Sequence, residues 1–167
     1  MASSVSYVAA TAVLTLTDQF DNTETCVVGG KTYTFQTSLT DTDGNIAIGA
    51  NVAGDLLNLL AAINLSNEGE SAVGAGNDYA ASMTINAEVS ARLAEITATT
   101  LTVRAKTAGT VGNLIACTET HGEGSWDNAT LTGGLLTLDA YLADLFLLNQ
   151  INSEVKAELL SITSPAD

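Results

Sequence analysis

Basic residues are scarce in this chain. Five lysines and arginines stand against nineteen aspartates and glutamates in 167 residues, a formal net charge of −14. The five bases, Lys31, Arg92, Arg104, Lys106 and Lys156, form no stripe or cluster. A phosphate-binding face needs such a cluster, so nucleic acid is not expected as a partner. Acidity of this size instead suits a surface protein that must stay soluble. His121 is the single histidine, which excludes metal sites and dyads built from several histidines. Two cysteines are too few for a disulfide scaffold, and their spacing is not that of a zinc site. No complete metal-ligand set exists, so neither a metal nor another cofactor is expected. The apolar run from Leu135 to Leu148 is broken by Asp139 and Asp144 and is too short to span a bilayer. Residues 1–6 lack the basic and apolar regions of a signal peptide. The expectation is synthesis in a cytoplasm without membrane insertion.

Hydrophobic residues are plentiful at 46%, yet aromatics are only 5% and charged residues 14%. A core must therefore come from Ala, Val, Leu and Ile, with Tyr33, Phe35 and Trp126 as anchors. Threonine-rich alternation favours strands with uncharged faces. Strands are expected over Val13–Thr17, Thr25–Val28, Lys31–Thr37, Tyr79–Ile85, Thr100–Lys106 and Leu114–Glu119, with a short extended piece at Ile46–Ile48. Gly29-Gly30 supplies the positive φ angles of a two-residue hairpin turn. Thr32 to Phe35 then alternates polar and apolar residues. Glu88–Ile96 carries both helical composition and strand alternation. Gly109–Asn113 reads as a turn. Asn51 caps a helix in which Asp55 occupies the first turn and Leu56, Leu59, Leu60 and Ile63 form one apolar stripe. Cys26 and Cys117 lie in apolar strand-like runs and read as small buried hydrophobes. A bridge between them requires that their strands be neighbours.

The end of the chain has a different period. Leu138, Leu145, Asn152 and Leu159 recur every seven residues, and Tyr141, Leu148, Val155 and Ile162 repeat at an offset of three. That is an a/d heptad frame. Over Thr137–Leu160 it predicts a helix about 36 Å long. Leu142, Phe146, Leu147 and Ile151 widen the apolar face beyond a thin dimer seam. Self-association follows as the expectation, with a trimer first and with Leu138, Tyr141, Leu145, Leu148, Asn152, Val155 and Leu159 as interface residues. Packing on the chain's own domain is the alternative.

Chemistry is otherwise thinly represented. Ser125 lies four residues from His121, but the surrounding glycine-rich loop is no nucleophile elbow. Asp41-Thr42-Asp43-Gly44-Asn45 has the look of a calcium loop without the EF-hand pattern, and reads as a solvated turn. Trp126 reads as a core anchor whose N–H finds one partner. It would otherwise stack on a sugar ring or plug into a partner. His121 and Trp126 are the candidates for a ligand or partner loop.

Several pieces gain meaning in their order. Val28-Gly29-Gly30-Lys31-Thr32-Tyr33-Thr34-Phe35 is followed by Thr107-Ala108-Gly109-Thr110-Val111-Gly112-Asn113. Ser125-Trp126 and Leu131-Thr132-Gly133-Gly134 come next. Together they resemble a module of structural proteins in tailed-bacteriophage virions, found in head-decoration, fibre and tail components. The resemblance spans roughly Thr25–Gly134 and makes Glu88–Ile96 a strand. The expected class is α+β: an antiparallel sheet with one helix packed on it, plus a C-terminal oligomerisation or anchoring helix. Residues 1–12 would be an arm or edge strand, 13–134 the module and 135–167 the amphipathic helix. The resemblance implies a non-enzymatic virion protein, a capsid decoration or head-fibre protein that binds itself and other virion proteins such as the major capsid protein. A tail or fibre component that binds a host receptor or glycan is the alternative.

Overall fold

The structure, a computed structural model, describes residues 7–69, 78–136 and 147–155. The chain divides into two units, Ala9–Leu135 and a second made of Met1–Val8 with Leu136–Asp167. The elements in chain order are β1 (Tyr7–Val8), β2 (Thr11–Leu16), β3 (Thr25–Val28), β4 (Lys31–Gln36), β5 (Asn45–Ala47) and α1 (Val52–Asn64). Then follow β6 (Val89–Ile96), β7 (Thr100–Ala105), a 3-10 turn (Thr110–Leu114), β8 (Cys117–Glu119), β9 (Gly124–Trp126) and β10 (Leu135–Leu136). Residues 147–155 are also helical. The class is α+β, with mostly antiparallel strands.

Within Ala9–Leu135 the strands form two four-stranded sheets, ordered β6-β7-β2-β9 and β5-β4-β3-β8. Only the β4–β5 pair among these ladders is parallel. One core cluster joins the inward faces of both sheets. Ala12, Leu14, Leu16, Leu101 and Val103 come from one, and Cys26, Val28, Tyr33 and Phe35 from the other. Alternation decides which residues go inward: in β2 and β7 every second side chain is buried. Helix α1 packs on β5, an outer strand of one sheet, and on β6 and β7 of the other. Asn51 caps it by accepting the Gly54 N–H at 3.1 Å, and Leu56, Leu59, Leu60 and Ile63 are fully buried. Leu65 ends it in the left-handed region at φ 52°.

The hairpin between β3 and β4 follows the sequence reading. Val28 pairs with Lys31 across Gly29 and Gly30, whose φ angles are 59° and 68°. Strand β6 carries an irregularity between Ala91 and Ile96. There the Asn64 amide replaces a strand neighbour: it donates to the Ala91 carbonyl at 2.7 Å and accepts the Ala91 N–H at 3.2 Å.

Two expected strands are corrected. Tyr79–Ile85 forms only a single bridge, Tyr79 to Ile46, and then turns. Side chains take its backbone donors: the Ser82 N–H donates to Asp41 at 2.7 Å and the Thr84 N–H to Asp43 at 2.9 Å. Leu114–Glu119 is shortened to Cys117–Glu119, because Leu114 belongs to the 3-10 turn.

Asn86 joins the two sheets. Its buried amide donates to the Val28 carbonyl at 2.9 Å and the Tyr33 hydroxyl at 3.1 Å. Its oxygen accepts the Glu88 and Val89 N–H groups at 2.9 and 3.0 Å. A methyl group on Gly29 would lie 2.7 Å from that oxygen, so the glycine turn and the amide fit each other. Asn86→Ala leaves buried backbone groups unpaired at about 1–3 kcal/mol each. The expected loss is about 4 kcal/mol for two such groups, read as a lowered urea midpoint with an unchanged slope.

Candidate functional site

The expected interface residues fall into two groups. Leu138, Tyr141, Leu145 and Leu159 lie outside the described residues. Leu148, Asn152 and Val155 lie on the helical segment 147–155, all of whose residues are exposed. Leu148, Ile151, Asn152 and Val155 share one side of it at 3.6 residues per turn. Asn149, Gln150, Ser153 and Glu154 occupy the other. Leu148, Ile151 and Val155 are 55%, 48% and 50% exposed, and Leu147 beside them is 56% exposed. The segment is amphipathic, yet its apolar stripe faces solvent.

His121 is not the surface side chain that its glycine-rich surroundings suggest. It is buried between the β2–β3 connection and the β8–β9 loop. Nδ1 lies 2.6 Å from Glu24 Oε2 and Nε2 lies 3.1 Å from the Asp18 carbonyl oxygen. Both neighbours present acceptor oxygens to the ring nitrogens. The ring also lies 4.7 Å from Phe20, which stacks on Phe35 at 3.9 Å. Thr17 binds the Glu123 carbonyl through its N–H and its hydroxyl, both at 2.8 Å. A Cβ at Gly124 would meet Leu16 at 2.6 Å and His121 at 2.8 Å. The loop is thereby clamped at both ends. Ser125 pairs with Thr15 on β2, and neither imidazole nitrogen contacts it. An open cleft of about 470 Å³ borders the clamp, lined by Asp18, Asn22, Glu24, Thr37 and Glu123 among others.

Trp126 is a core side chain, not a residue of an exposed loop. It is 8% exposed, pairs with Leu14 on β2, and its Nε1 donates to the Thr118 carbonyl at 3.3 Å. Cys26 and Cys117 are on adjacent strands, and both thiols are free. Cys26 faces Glu119 and Cys117 faces Val28, which makes the cysteines diagonal neighbours. Diagonal neighbours stand about 7–8 Å apart, wider than the usual spacing of a disulfide. Burial pushes the Cys117 thiol up to about 11 and the Cys26 thiol higher still.

The pieces that carry the family resemblance support backbone. The Asn113 amide donates to the Gly134 carbonyl at 2.9 Å and accepts the Gly134 N–H at 2.8 Å. Gly134 has no room for a side chain, since its Cβ would lie 2.4 Å from the Gly109 carbonyl oxygen. No sequence signal short of the fold shows that Asn113, Asn86 or Asn64 clamp distant backbone.

Asp41 and Asp43 serve the same purpose. Asp43 accepts from the Thr84 N–H and hydroxyl and from Lys31, whose ammonium lies 2.6 Å away. Lys31 also binds the Thr84 carbonyl and sits 5.7 Å from the Tyr33 ring centroid. Among the described residues no group of three or more His, Cys, Asp or Glu side chains is placed to hold a metal ion. Among them, too, no helix is long and apolar enough to cross a membrane.

The Lys31 hydrogen bond, with help from Thr84, holds the Asp43 carboxyl down at about 2. An unfolded aspartate titrates near about 3.9. The pairing therefore stabilises the fold fully above about pH 4 and is lost as pH falls toward 2. Asp43→Asn is expected to lower the melting temperature at neutral pH. Its melting temperature should also fall less than that of the wild type between pH 4.5 and pH 2, as followed by circular dichroism.

No protein-family model, curated protein or solved structure matches the chain, so the chemistry of its own surfaces carries the functional reading.

Proposed function

We propose that this protein is a non-enzymatic structural component of a tailed-phage virion, a capsid decoration or head-fibre protein. It self-associates through its C-terminal helix and docks on the particle, where the major capsid protein is its partner. The observation that carries self-association is the solvent-facing stripe of Leu148, Ile151 and Val155, with Leu147 at its edge. Half-exposed aliphatic side chains gain about 1 kcal/mol each on full burial. These four therefore supply about 4 kcal/mol per copy, too little alone to offset the cost of association. The sequence from Leu138 to Ile162 repeats apolar residues in the same heptad frame, and these are proposed to supply the rest.

The virion assignment rests on the ordered motifs from Val28 to Gly134. Their glycines and Asn113 support turns and backbone contacts, as suits a rigid displayed module. A strongly acidic surface keeps a protein present in many copies from sticking to itself elsewhere.

Leu148→Asp combined with Val155→Asp places two carboxylates in the stripe. Full-length wild type is expected to sediment as an oligomer at micromolar concentration and to bind undecorated particles. The double variant is expected to sediment as a monomer and to lose binding, with the strand signal in circular dichroism and the melting of the Ala9–Leu135 unit retained. An unchanged oligomer would remove the helix from the assembly.

A further inference from the structure

We infer that copies of the Ala9–Leu135 unit meet through a two-fold contact at the 3-10 turn, in which Leu114 of each copy enters the groove beside the same turn of the other. The occupant of the groove is a second copy of this chain. The inference makes no use of the helical segment 147–155.

Val111 and Leu114 stand three residues apart in the turn Thr110–Leu114. Side chains at that spacing eclipse in a 3-10 helix, so both lie on one side of it. They are 56% and 80% exposed, and Leu114 is the most exposed large hydrophobic side chain among the described residues. The turn has no freedom to tuck it in. Gly112 is buried against Ala105 and Ala10, whose Cβ atoms would lie 2.8 and 2.9 Å from a Cβ placed on it. The Asn113 amide exchanges two hydrogen bonds with the Gly134 backbone, and the Ile115 carbonyl accepts the Leu131 N–H at 2.9 Å. With its neighbours anchored on both sides, Leu114 is held out in solvent. A large aliphatic side chain fixed there on a rigid support marks an interaction surface.

A groove of about 200 Å³ opens beside it, lined by Ala87, Glu88, Thr107, Val111, Gly112 and Ile115. Val111 and Ile115 flank Leu114 in sequence, so knob and hole belong to one patch. Such a patch is self-complementary: a two-fold axis sets each knob in the other copy's hole and closes the contact at two copies. An unrelated partner would have to supply both shapes. Charge points the same way. Copies of a chain with a net charge of −14 repel one another. At this rim Glu88 is offset by Lys106, whose N–H donates to the Glu88 carbonyl at 2.8 Å and whose ammonium binds the Asn86 carbonyl. Two such rims approach without an excess of either sign. The patch is small beside the roughly 800 Å² per partner of a stable interface, so the contact is weak between free chains and counts where copies are held side by side.

The test uses the full-length chain carrying Leu148→Asp and Val155→Asp, which takes the helix contact away. This parent is sedimented to equilibrium from micromolar concentration to about 1 mM, where a reversible monomer–dimer equilibrium is expected. Leu114→Ser removes the knob and Ala87→Trp fills the hole. Both positions are exposed, so each variant should keep the parent's melting temperature. Each is expected to weaken the dimer by about tenfold or more. An equimolar mixture of the two should associate more strongly than either alone, because one knob still finds one open hole. A parent that stays monomeric throughout overturns the two-fold contact. So does a dimer indifferent to Leu114→Ser, or a mixture no better than its components. If the helix substitutions leave the oligomer of the wild type unchanged, the helix reading fails by itself. The response of that oligomer to Leu114→Ser and Ala87→Trp then decides this inference.

Discussion

The Asn86 amide is the interaction on which the fold of the Ala9–Leu135 unit depends. One side chain binds β3, the Tyr33 hydroxyl of β4 and the start of β6, and so ties the two sheets together from inside. Buried amides are costly when incomplete and rigid when complete. Asn86 uses both donors and its acceptor oxygen, and the same strategy recurs at the margins of the sheets. Asn64 completes the edge of β6, and Asn58 donates to the Ala47 carbonyl at 3.0 Å. Asn113 clamps the Gly134 backbone. A chain with short strands and an irregular β6 leaves many backbone groups without a ladder partner, and asparagine side chains supply them.

Small residues set how closely the layers approach. A Cβ at Gly112 would lie 2.8 Å from the Ala105 Cβ and 2.9 Å from that of Ala10, so three small residues close one end of the core. The few aromatics are concentrated where they do most. Phe35, Phe20 and His121 form one stack that carries the β8–β9 loop onto the core. The scarce cations are likewise placed: Lys31 and Arg104 each hold a carboxylate, Asp43 and Glu95, at 2.6 Å.

The helical segment 147–155 follows a different logic. Its period is that of a helix seam and its apolar side chains face solvent, whereas Leu56, Leu59, Leu60 and Ile63 of α1 are fully buried. An exposed apolar stripe of this kind marks an interaction surface more readily than a core element. The proposed division of labour is a rigid displayed module in one unit and an assembly element in the other.

Local periodicity determined a good deal by itself. The Gly29-Gly30 hairpin, the capped stripe of α1 and the alternation of β2 and β7 each depend on residues within a few positions of one another, so the sequence shows them directly. The heptad is equally legible, since its spacing is a property of the chain alone. What only the tertiary structure decided involves partners far apart in sequence. His121 lies 97 residues from Glu24 and becomes a buried clamp, although its glycine neighbours describe a surface loop. Asp43 is 41 residues from Thr84 and pins a turn where residues 79–85 alone suggest a strand. Asn86 is 58 residues from Val28 and reads, in isolation, as an ordinary loop residue. A polar side chain offers the same donors and acceptors in water as in a core. Which partner it meets depends on the long-range packing that brings the two segments together, and no short stretch of sequence encodes that meeting.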